Sequence, residues 1–331
     1  MRTVRAIPVL AITALLLPAT AAASSTARSP LFPTPNGTVR VTEFPVPTPT
    51  SRPYQIVAGP DGNLWFTESD AGKIGKITPA GQITEYKIRT GSGPYGITVG
   101  PDGNLWFTER FADLIAKFST SGNLLAEYPV PMDNSQPWGI TAGPDGALWF
   151  TEEDVDQIGR ITVNGSVTEF PTQNCCNFPT FIITGGDGNL WFTEELANAV
   201  GRMDTNGSVT YFTAPTAQLL YGITTAPDGL VWFTALAGDN KLGSVDANGN
   251  ITEYPVPSDG TGIAGVTAGA NGRIWFTEND AGLVGRMAPG GGRVALFQDG
   301  SYPIGITVGP DGAVWIAESQ SNAIGRLKIP G

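Results

Sequence analysis

Aromatic side chains recur at one position of a sequence repeat and provide a candidate binding surface. Each repeat contains the segment GPDGNLWFTE or a variant of it. The aromatic position precedes this segment and lies 11 residues before its tryptophan, at the second residue of a Pro-x-Gly-Ile-Thr segment. Aromatic rings that face small or aliphatic side chains suit a large flat or cyclic ligand, or a sugar that stacks on tyrosine or tryptophan. The alternative is that the rings only fill a channel. In chain order the position holds Tyr54, Tyr95, Trp138, Thr180, Tyr221, Ala264 and Ile304.

Carboxylates recur three residues after the same tryptophans and form a second candidate set. Like charges held close together raise one another's pKa unless a cation or hydrogen-bond donors relieve them. A magnesium or calcium ion is therefore a candidate cofactor, with Glu278 and Glu318 as candidate ligands. The alternative is structural, with the carboxylates paired to backbone amides or to the Lys and Arg of the Ile-Gly-Lys/Arg segments. The set comprises Glu68, Glu109, Glu152, Glu194, Glu278 and Glu318, and Ala235 interrupts it.

The chain contains no histidine, and this excludes several familiar chemistries. Neither a Ser-His-Asp nor a Cys-His catalytic group of the usual kind is available, and no imidazole can bind a metal. The GSGPYG segment at 91–96 precedes a predicted strand without a strand-to-helix turn, so it fits the dinucleotide-binding pattern only by chance. The repeated Pro-Asp-Gly predicts tight turns, because a calcium loop needs several alternating acids.

Seven tryptophans mark the repeat of 40 to 43 residues that must position both candidate sets. A unit this short cannot bury its own apolar face, so the copies are expected to stack on one another. One unit contains four β-rich runs, at 94–100, 104–109, 114–119 and 123–129, separated by turn sequences. The sequence therefore predicts an all-β fold, a seven-bladed β-propeller with four-stranded blades. In such a ring both candidate sets are expected to line one pocket at the opening of the central channel, here called the mouth.

The two ends of the repeat region predict how the ring closes. The seventh unit, Pro303 to Ile329, ends after its third strand. Val39 to Pro47 reads VRVTEFPVP and matches the fourth strand of another unit, NITEYPVP at 250–257. We expect this N-terminal strand to pair with the last blade, which removes an open sheet edge that would favour aggregation.

Residues 1–23 have the features of a secretory signal peptide. Arg2 and Arg5 precede the apolar run from Val9 to Leu17, and small residues follow at 21–23. We therefore predict a secreted protein with a flexible Ser, Thr and Pro-rich spacer at 24–38 and the propeller at 39–331. The net charge of −11 argues against nucleic-acid and membrane partners. A monomer that binds a small molecule or cyclic peptide is expected.

Cys175 and Cys176 are adjacent and precede the first strand of the fourth unit. In an exported protein an oxidised pair is expected, and neighbouring cysteines can close only a small, strained ring. Such a disulfide would make the loop rigid at the mouth beside Thr180. The alternative is a pair of reduced or mispaired thiols without a role.

The repeats GPDGNLWFTE, Ile-Gly-Lys/Arg-Ile and ITEYPVP resemble those of the virginiamycin B lyase family, the streptogramin B lyases, and more distantly those of gluconolactonase-type and NHL propellers. The resemblance extends from Val39 to Ile329. It implies an enzyme that opens a cyclic depsipeptide antibiotic by elimination across its ester, with a magnesium ion and a histidine base.

The resemblance also implies where the histidines should lie, at the second residue of Pro-x-Gly-Ile-Thr in the last two blades. Here these residues are Ala264 and Ile304, which cannot accept a proton. The metal-binding acid two residues before the catalytic histidine falls on Tyr302, and only Glu318 could match the remaining carboxylate. Because the elimination needs both a base and a cation, we expect no streptogramin lyase activity of normal strength.

Two functional hypotheses follow from these residues. The favoured one is a secreted propeller that binds a small or cyclic ligand at an aromatic mouth, with Tyr302 at its edge. The alternative is a metal-dependent lyase or lactone hydrolase of the same superfamily that uses carboxylates such as Glu278 or Glu318.

Overall fold

The computed structural model describes residues 41–172, 177–238, 240–258, 260, 262–288, 290–299 and 302–328. The predicted signal peptide, the predicted spacer and the predicted disulfide between Cys175 and Cys176 lie outside these residues and remain predictions.

The described chain forms seven four-stranded antiparallel sheets, as the repeat predicts. Within each of the first six sheets the strands follow sequence order, so every repeat unit is one blade. Three-residue 3-10 helices, Arg110–Ala112 and Glu153–Val155, follow the second strands of blades two and three. Blades one to four comprise Pro53–Ala58, Leu64–Glu68, Lys73–Ile77 and Ile83–Lys87; Pro94–Val99, Leu105–Glu109, Leu114–Phe118 and Leu124–Pro129; Pro137–Ala142, Leu148–Glu152, Gln157–Ile161 and Val167–Pro171; and Pro179–Thr184, Leu190–Glu194, Ala199–Met203 and Val209–Thr213.

The seventh sheet confirms the predicted ring closure. Thr42–Pro45, at the N-terminus of the described chain, pairs antiparallel with Ala323–Leu327, the last strand. Phe44 stacks on Trp315 with the ring centres 5.9 Å apart. Blades five to seven comprise Gln218–Thr225, Val231–Ala237, Lys241–Val245 and Ile251–Pro255; Ile263–Ala268, Ile274–Glu278, Leu283–Met287 and Val294–Gln298; and Pro303–Val308, Val314–Glu318 and Ala323–Leu327 with Thr42–Pro45.

The first strand of each blade is the innermost, and neighbouring first strands approach closely around the channel. The glycine of Pro-x-Gly-Ile-Thr makes this approach possible. A Cβ on Gly96 would lie 2.4 Å from the carbonyl oxygen of Trp138 in the next blade. A Cβ on Gly265 would lie 2.1 Å from that of Ile304. Side chains larger than hydrogen would therefore push the inner strands apart at these positions.

A threonine in the second strand of six blades links each blade to the next. Its buried hydroxyl donates to the backbone carbonyl of the residue at the aromatic position of the following blade, over 2.5 to 3.0 Å. The same oxygen accepts a hydrogen bond from the first strand of its own blade. The mouth positions thus rest on a rigid, buried network. The donors are Thr67, Thr108, Thr151, Thr193, Thr234 and Thr277.

Blade seven has Ala317 at this position, so its junction with blade one is held differently. The side-chain amide of Asn322 donates to the carbonyls of Val46 and Thr48 at 3.1 and 2.8 Å. Its oxygen accepts hydrogen bonds from the backbone amide and hydroxyl of Ser51 at 2.7 and 2.9 Å. Asn322 therefore ties the N-terminal segment to the last blade.

The repeat tryptophans lie in the core, each packed against the first two strands of the next blade. Trp65, for example, belongs to one cluster with Ile97, Leu105 and Phe107 of blade two. An aromatic residue of the fourth strand stacks on the tryptophan, as Tyr128 does on Trp106 with ring centres 5.8 Å apart. This packing repeats from blade to blade and stabilises the ring as a sum of similar interfaces. In the described part of the chain, no helix has the length and apolar character needed to span a bilayer.

Replacement of Asn322 by alanine tests the closure. We expect Asn322→Ala to lower the free energy of unfolding by about 3 kcal/mol, because several buried hydrogen bonds and a left-handed backbone position are affected together. Asn198 occupies the equivalent left-handed position in blade four, but its side-chain oxygen accepts a hydrogen bond only from the backbone amide of Leu219, at 2.9 Å. Asn198→Ala should therefore cost about half as much. Urea denaturation measures both, and equal losses would contradict the special role of Asn322.

Candidate functional site

Four aromatic rings of the first candidate set meet at the channel. The ring centres of Tyr54 and Tyr95 lie 4.3 Å apart, and those of Tyr95 and Trp138 lie 4.9 Å apart. The hydroxyls of Tyr54 and Tyr221 are hydrogen-bonded across the opening. Each of these rings is at most 8% exposed. They fill the channel, as one alternative from the sequence predicts. They also form the floor of the mouth, which is where the other alternative places a bound ligand.

The remaining three positions of this set differ in their exposure to the mouth. Ala264 and Ile304 belong to the same cluster as the rings and leave an apolar gap beside them. Thr180 does not reach the mouth. It is fully buried, and its hydroxyl oxygen lies 3.0 Å from that of Thr193. Its neighbour Phe181 instead packs edge-on against Tyr221, with ring centres 4.9 Å apart.

The mouth is a cavity of about 520 Å³ above this floor. Its wall comes from residues that directly follow the second candidate set, four positions after the repeat tryptophans. Their chemistry varies among the blades from basic to acidic, apolar and amide, and Arg52 and Tyr302 complete the rim. A volume of this size, with an aromatic floor and a few charged groups, is typical of a site for a small molecule. The wall residues are Arg110, Glu153, Glu195, Leu236 and Asn279.

Arg110 organises one side of the mouth. Its guanidinium lies 4.1 Å from the ring centre of Trp138 and 5.2 Å from that of Tyr95, and it forms an ion pair with Glu153. Burial raises the pKa of Glu153 to about 7, although the charge of Arg110 opposes the shift. Burial also raises the pKa of Glu195. Near neutral pH, Glu153 can therefore donate or accept a hydrogen bond, and blades two to four present polar groups to a ligand.

Blades six, seven and one supply the opposite side. Tyr302, two residues before Ile304, lines both the mouth and an adjoining groove of about 420 Å³ that extends over Asp280. Burial and the neighbouring negative charge of Asp280 raise the pKa of the Tyr302 phenol, so this group stays protonated. A tyrosine, an asparagine and an arginine thus face the charged side across an apolar gap.

The repeated glutamates do not line this mouth, contrary to our expectation that both candidate sets share one pocket. All six are fully buried at the ends of the second strands, inside the blades. Successive side chains along a strand point to opposite faces. Glu109 is therefore buried inside its blade, whereas the next residue, Arg110, faces the mouth. The structural alternative also needs correction. Neither carboxylate oxygen of Glu68, Glu109, Glu152 or Glu194 has a hydrogen-bond partner of standard geometry among the described residues.

Burial penalises the charged form of these glutamates, so their pKa values lie above the usual range. Burial and the charge of Glu85 raise the pKa of Glu68 to about 8. Burial and the charge of Glu169 do the same for Glu152. Burial and the charge of Asp299 raise the pKa of Glu318 to about 9. These three buried carboxyls are therefore mainly protonated at neutral pH.

The donor set does not fit the magnesium ion that the resemblance implies. Glu278 and Glu318 belong to different blades and are both fully buried. One oxygen of each carboxylate already accepts a hydrogen bond from a serine hydroxyl, that of Ser258 for Glu278 and that of Ser321 for Glu318. Among the described residues no group of three or more His, Cys, Asp or Glu has a metal-binding arrangement.

Fold and site together define a seven-bladed propeller in which aromatic rings close the channel beneath a cavity at its opening, the mouth. The sequence model of the virginiamycin B lyase family matches residues 39–220 and 218–331, which is most of the chain, and this protein belongs to that family. A structure described as streptogramin B lyase is 37% identical, covers 88% of this chain and 97% of its own, and superposes with a TM-score of 0.83. A catalytically inactive histidine-to-alanine variant of virginiamycin B lyase from Staphylococcus aureus, solved with quinupristin, is 35% identical with the same TM-score, over 88% of this chain and 99% of that one.

Curated relatives match over shorter stretches. The virginiamycin B lyase of Saccharopolyspora erythraea is 45% identical over 51 residues, which is 15% of this chain and 17% of the relative. That of Bacillus licheniformis is 44% identical over 45 residues, which is 14% of this chain and 15% of the relative. These matches span less than a fifth of either relative.

The buried acids predict an unusual pH dependence of stability. A raised pKa in the folded state means that the native protein binds protons more tightly than the unfolded chain, so this stability is fully present below about pH 4.5 and is lost as the pH rises through about 8 to 9. We expect the urea midpoint to be higher at pH 5 than at pH 9. Glu152→Gln, which keeps the shape without the titrating proton, should reduce this difference.

The exposed Asp133→Asn serves as the control for this pH experiment, because it removes one acid without touching a buried group. It should leave the difference between the two midpoints unchanged. A protein that is more stable at pH 9 than at pH 5 would contradict the assignment of the glutamates as neutral.

Proposed function

We propose that this protein is an exported member of its family that binds a small or cyclic ligand at the mouth and does not perform streptogramin lyase chemistry of normal strength. The observation that carries the proposal is the composition of the mouth. Binding groups are abundant, whereas the two positions that the family resemblance assigns to histidine hold Ala264 and Ile304.

Support for ligand binding comes from the shape and the charge pattern. The floor offers the faces and edges of four rings, which favour planar or cyclic groups. Above it, Glu153 and Glu195 can accept hydrogen bonds from amide N–H groups, while Arg52 and Asn279 can donate to carbonyls. A cyclic peptide presents both kinds of group around an apolar ring, so it suits the mouth better than a uniformly charged molecule does.

Support for the absence of normal lyase chemistry comes from the relative in Staphylococcus aureus. In that protein, one histidine-to-alanine substitution gives a catalytically inactive variant that was solved with quinupristin. The present chain has no histidine anywhere. By analogy, we propose that it retains the ability to bind a streptogramin-like ring without the base that would open it.

The alternative of a carboxylate-dependent lyase or lactone hydrolase gains no support from the site. Glu278 and Glu318, the carboxylates considered as substitute bases or ligands, are fully buried. The acids that do reach the mouth are Glu153 and Glu195, and Glu153 is already paired with Arg110. Secretion, a monomeric state and a small-molecule or cyclic-peptide partner remain part of the proposal.

Titration with quinupristin tests the proposal. Trp138 is the only tryptophan outside the repeat position, so a change in fluorescence that disappears in Trp138→Phe reports on the mouth. We expect binding that EDTA does not affect, and about tenfold weaker binding to Tyr302→Ala because an aromatic contact is lost. Leu196→Ser changes an exposed residue beside Glu195 that does not line the mouth, and it should bind normally.

Two outcomes of this titration would contradict the proposal. One is the absence of saturable binding at micromolar protein. The other is equal affinity of the Tyr302→Ala and Leu196→Ser variants, which would mean that the ligand binds away from the mouth.

A further inference from the structure

In five blades an aspartate carboxylate accepts a hydrogen bond from a tryptophan indole N–H at the equivalent repeat position, on the face opposite the mouth. The aspartate of the Pro-Asp-Gly turn accepts a hydrogen bond from the tryptophan Nε1 of its own blade, always at 3.0 Å. The pairs are Asp61 with Trp65, Asp102 with Trp106, Asp145 with Trp149, Asp187 with Trp191, and Asp311 with Trp315.

In four of these blades a basic side chain of the third strand completes the arrangement. Lys117 pairs with Asp102 at 2.7 Å, and Arg202 pairs with Asp187 at 2.8 Å. Blades three and seven have the equivalent pairs, Arg160 with Asp145 and Arg326 with Asp311. The base also lies over the tryptophan ring, so it is held from two sides. Although burial opposes it, hydrogen bonds from Lys117, Asn104 and Trp106 lower the pKa of Asp102 to about 2. This position of the blade is therefore built to hold a carboxylate.

Blade six keeps the base and the indole but lacks the carboxylate. Asn271 replaces the aspartate, and its oxygen accepts only from the backbone of Arg273, at 3.2 Å. An amide presents NH₂ where aspartate presents a second oxygen and carries no charge, so it cannot form an ion pair with a guanidinium. Arg286 lies 5.5 Å from the ring centre of Trp275 and has no acidic partner within the described chain.

The electrostatics of Arg286 differ accordingly from those of its counterparts. Burial lowers its pKa, and the nearby positive charge of Arg273 adds to this effect. The indole N–H of Trp275 likewise forms no hydrogen bond with any described residue. Two guanidinium groups and one N–H donor thus line the same point, and none of the described residues places an acidic side chain between them.

A cavity of about 310 Å³ lies at this point, between blades six and seven. Asn271, Arg273, Trp275 and Arg286 line its blade-six side. Apolar side chains of blade seven, Val308, Val314 and Leu327, line the other side. The volume is larger than a simple ion needs, and its second wall is suited to hydrocarbon.

We propose that this cavity, here called the blade-six cleft, binds a carboxylate with a short apolar tail. The carboxylate takes the place that aspartate occupies in the sister blades, between Arg286 and the indole N–H of Trp275, with Arg273 at the entrance. The tail lies against Val314 and Leu327. The chain itself specifies carboxylate over phosphate, because four sister blades satisfy the same donors with a carboxylate.

Titration with hexanoate tests the proposal, with the indole N–H signals followed by two-dimensional NMR of ¹⁵N-labelled full-length protein. We expect the Trp275 signal, assigned with Trp275→Phe, to shift in a saturable way. Hexanol, which lacks the charge, and acetate, which lacks the tail, should each bind at least about tenfold more weakly, and added salt should weaken hexanoate. Equal binding of hexanol, or displacement of hexanoate by sulfate at equal ionic strength, would overturn the carboxylate assignment.

Asn271→Asp is the sharpest variant, because it supplies the missing carboxylate from within the chain. We expect it to abolish hexanoate binding, to raise the free energy of unfolding and to leave quinupristin binding at the mouth unchanged. Asn123→Asp adds the same charge at an exposed turn of blade two and should change none of these. Undiminished hexanoate binding by Asn271→Asp, or no binding by the unmodified protein, would overturn the proposal. Neither result depends on whether the mouth binds quinupristin.

Discussion

The threonine hydroxyl that links six of the seven blades to the next blade is the interaction on which the mouth depends. It holds the backbone carbonyl of the first mouth position in the following blade, within a channel where glycine lets the inner strands approach closely. Because the contact involves only the backbone of that position, its side chain is free to differ. The same frame therefore presents tyrosine at 95, tryptophan at 138 and alanine at 264 without a change of fold. Function in this propeller is set by substitutions on a fixed ring.

Departures from the repeat are informative because the structural positions are otherwise uniform. Ala317 breaks the threonine series at the junction where the ring closes, and Asn322 ties the chain termini there instead. Asn271 breaks the aspartate series in blade six, and Arg286 has no acidic partner in the part of the chain that the structure describes. Ala264 and Ile304 replace the histidines that the family resemblance implies. The first departure accompanies ring closure, the second lies in the blade-six cleft, and the third is the one on which our proposal of a missing base rests.

Much of the fold could be predicted from the sequence, because the tryptophan spacing and the turn sequences repeat in every unit. The strand boundaries in blade two agree to within a residue, and the N-terminal strand pairs where its sequence match to a fourth strand predicts. The site was less predictable. Glu109, three residues after Trp106, was a candidate because a glutamate recurs at this position in six blades. Such recurrence instead marks a residue that the fold requires. Arg110, the next residue, faces the mouth, and the signal that could have found it is its variation from blade to blade.

The central claim is that the mouth binds a streptogramin-like ring and leaves it closed, and a chromatographic assay of virginiamycin B tests this most directly. Elimination leaves the mass unchanged but alters retention, whereas hydrolysis adds the mass of one water, so chromatography with mass detection separates the two reactions. The protein is incubated with virginiamycin B and magnesium beside the Staphylococcus aureus virginiamycin B lyase. We predict that the antibiotic stays intact with this protein and is converted by the relative. Conversion by this protein at a comparable rate, to the isomer or to the hydrated product, would contradict the account.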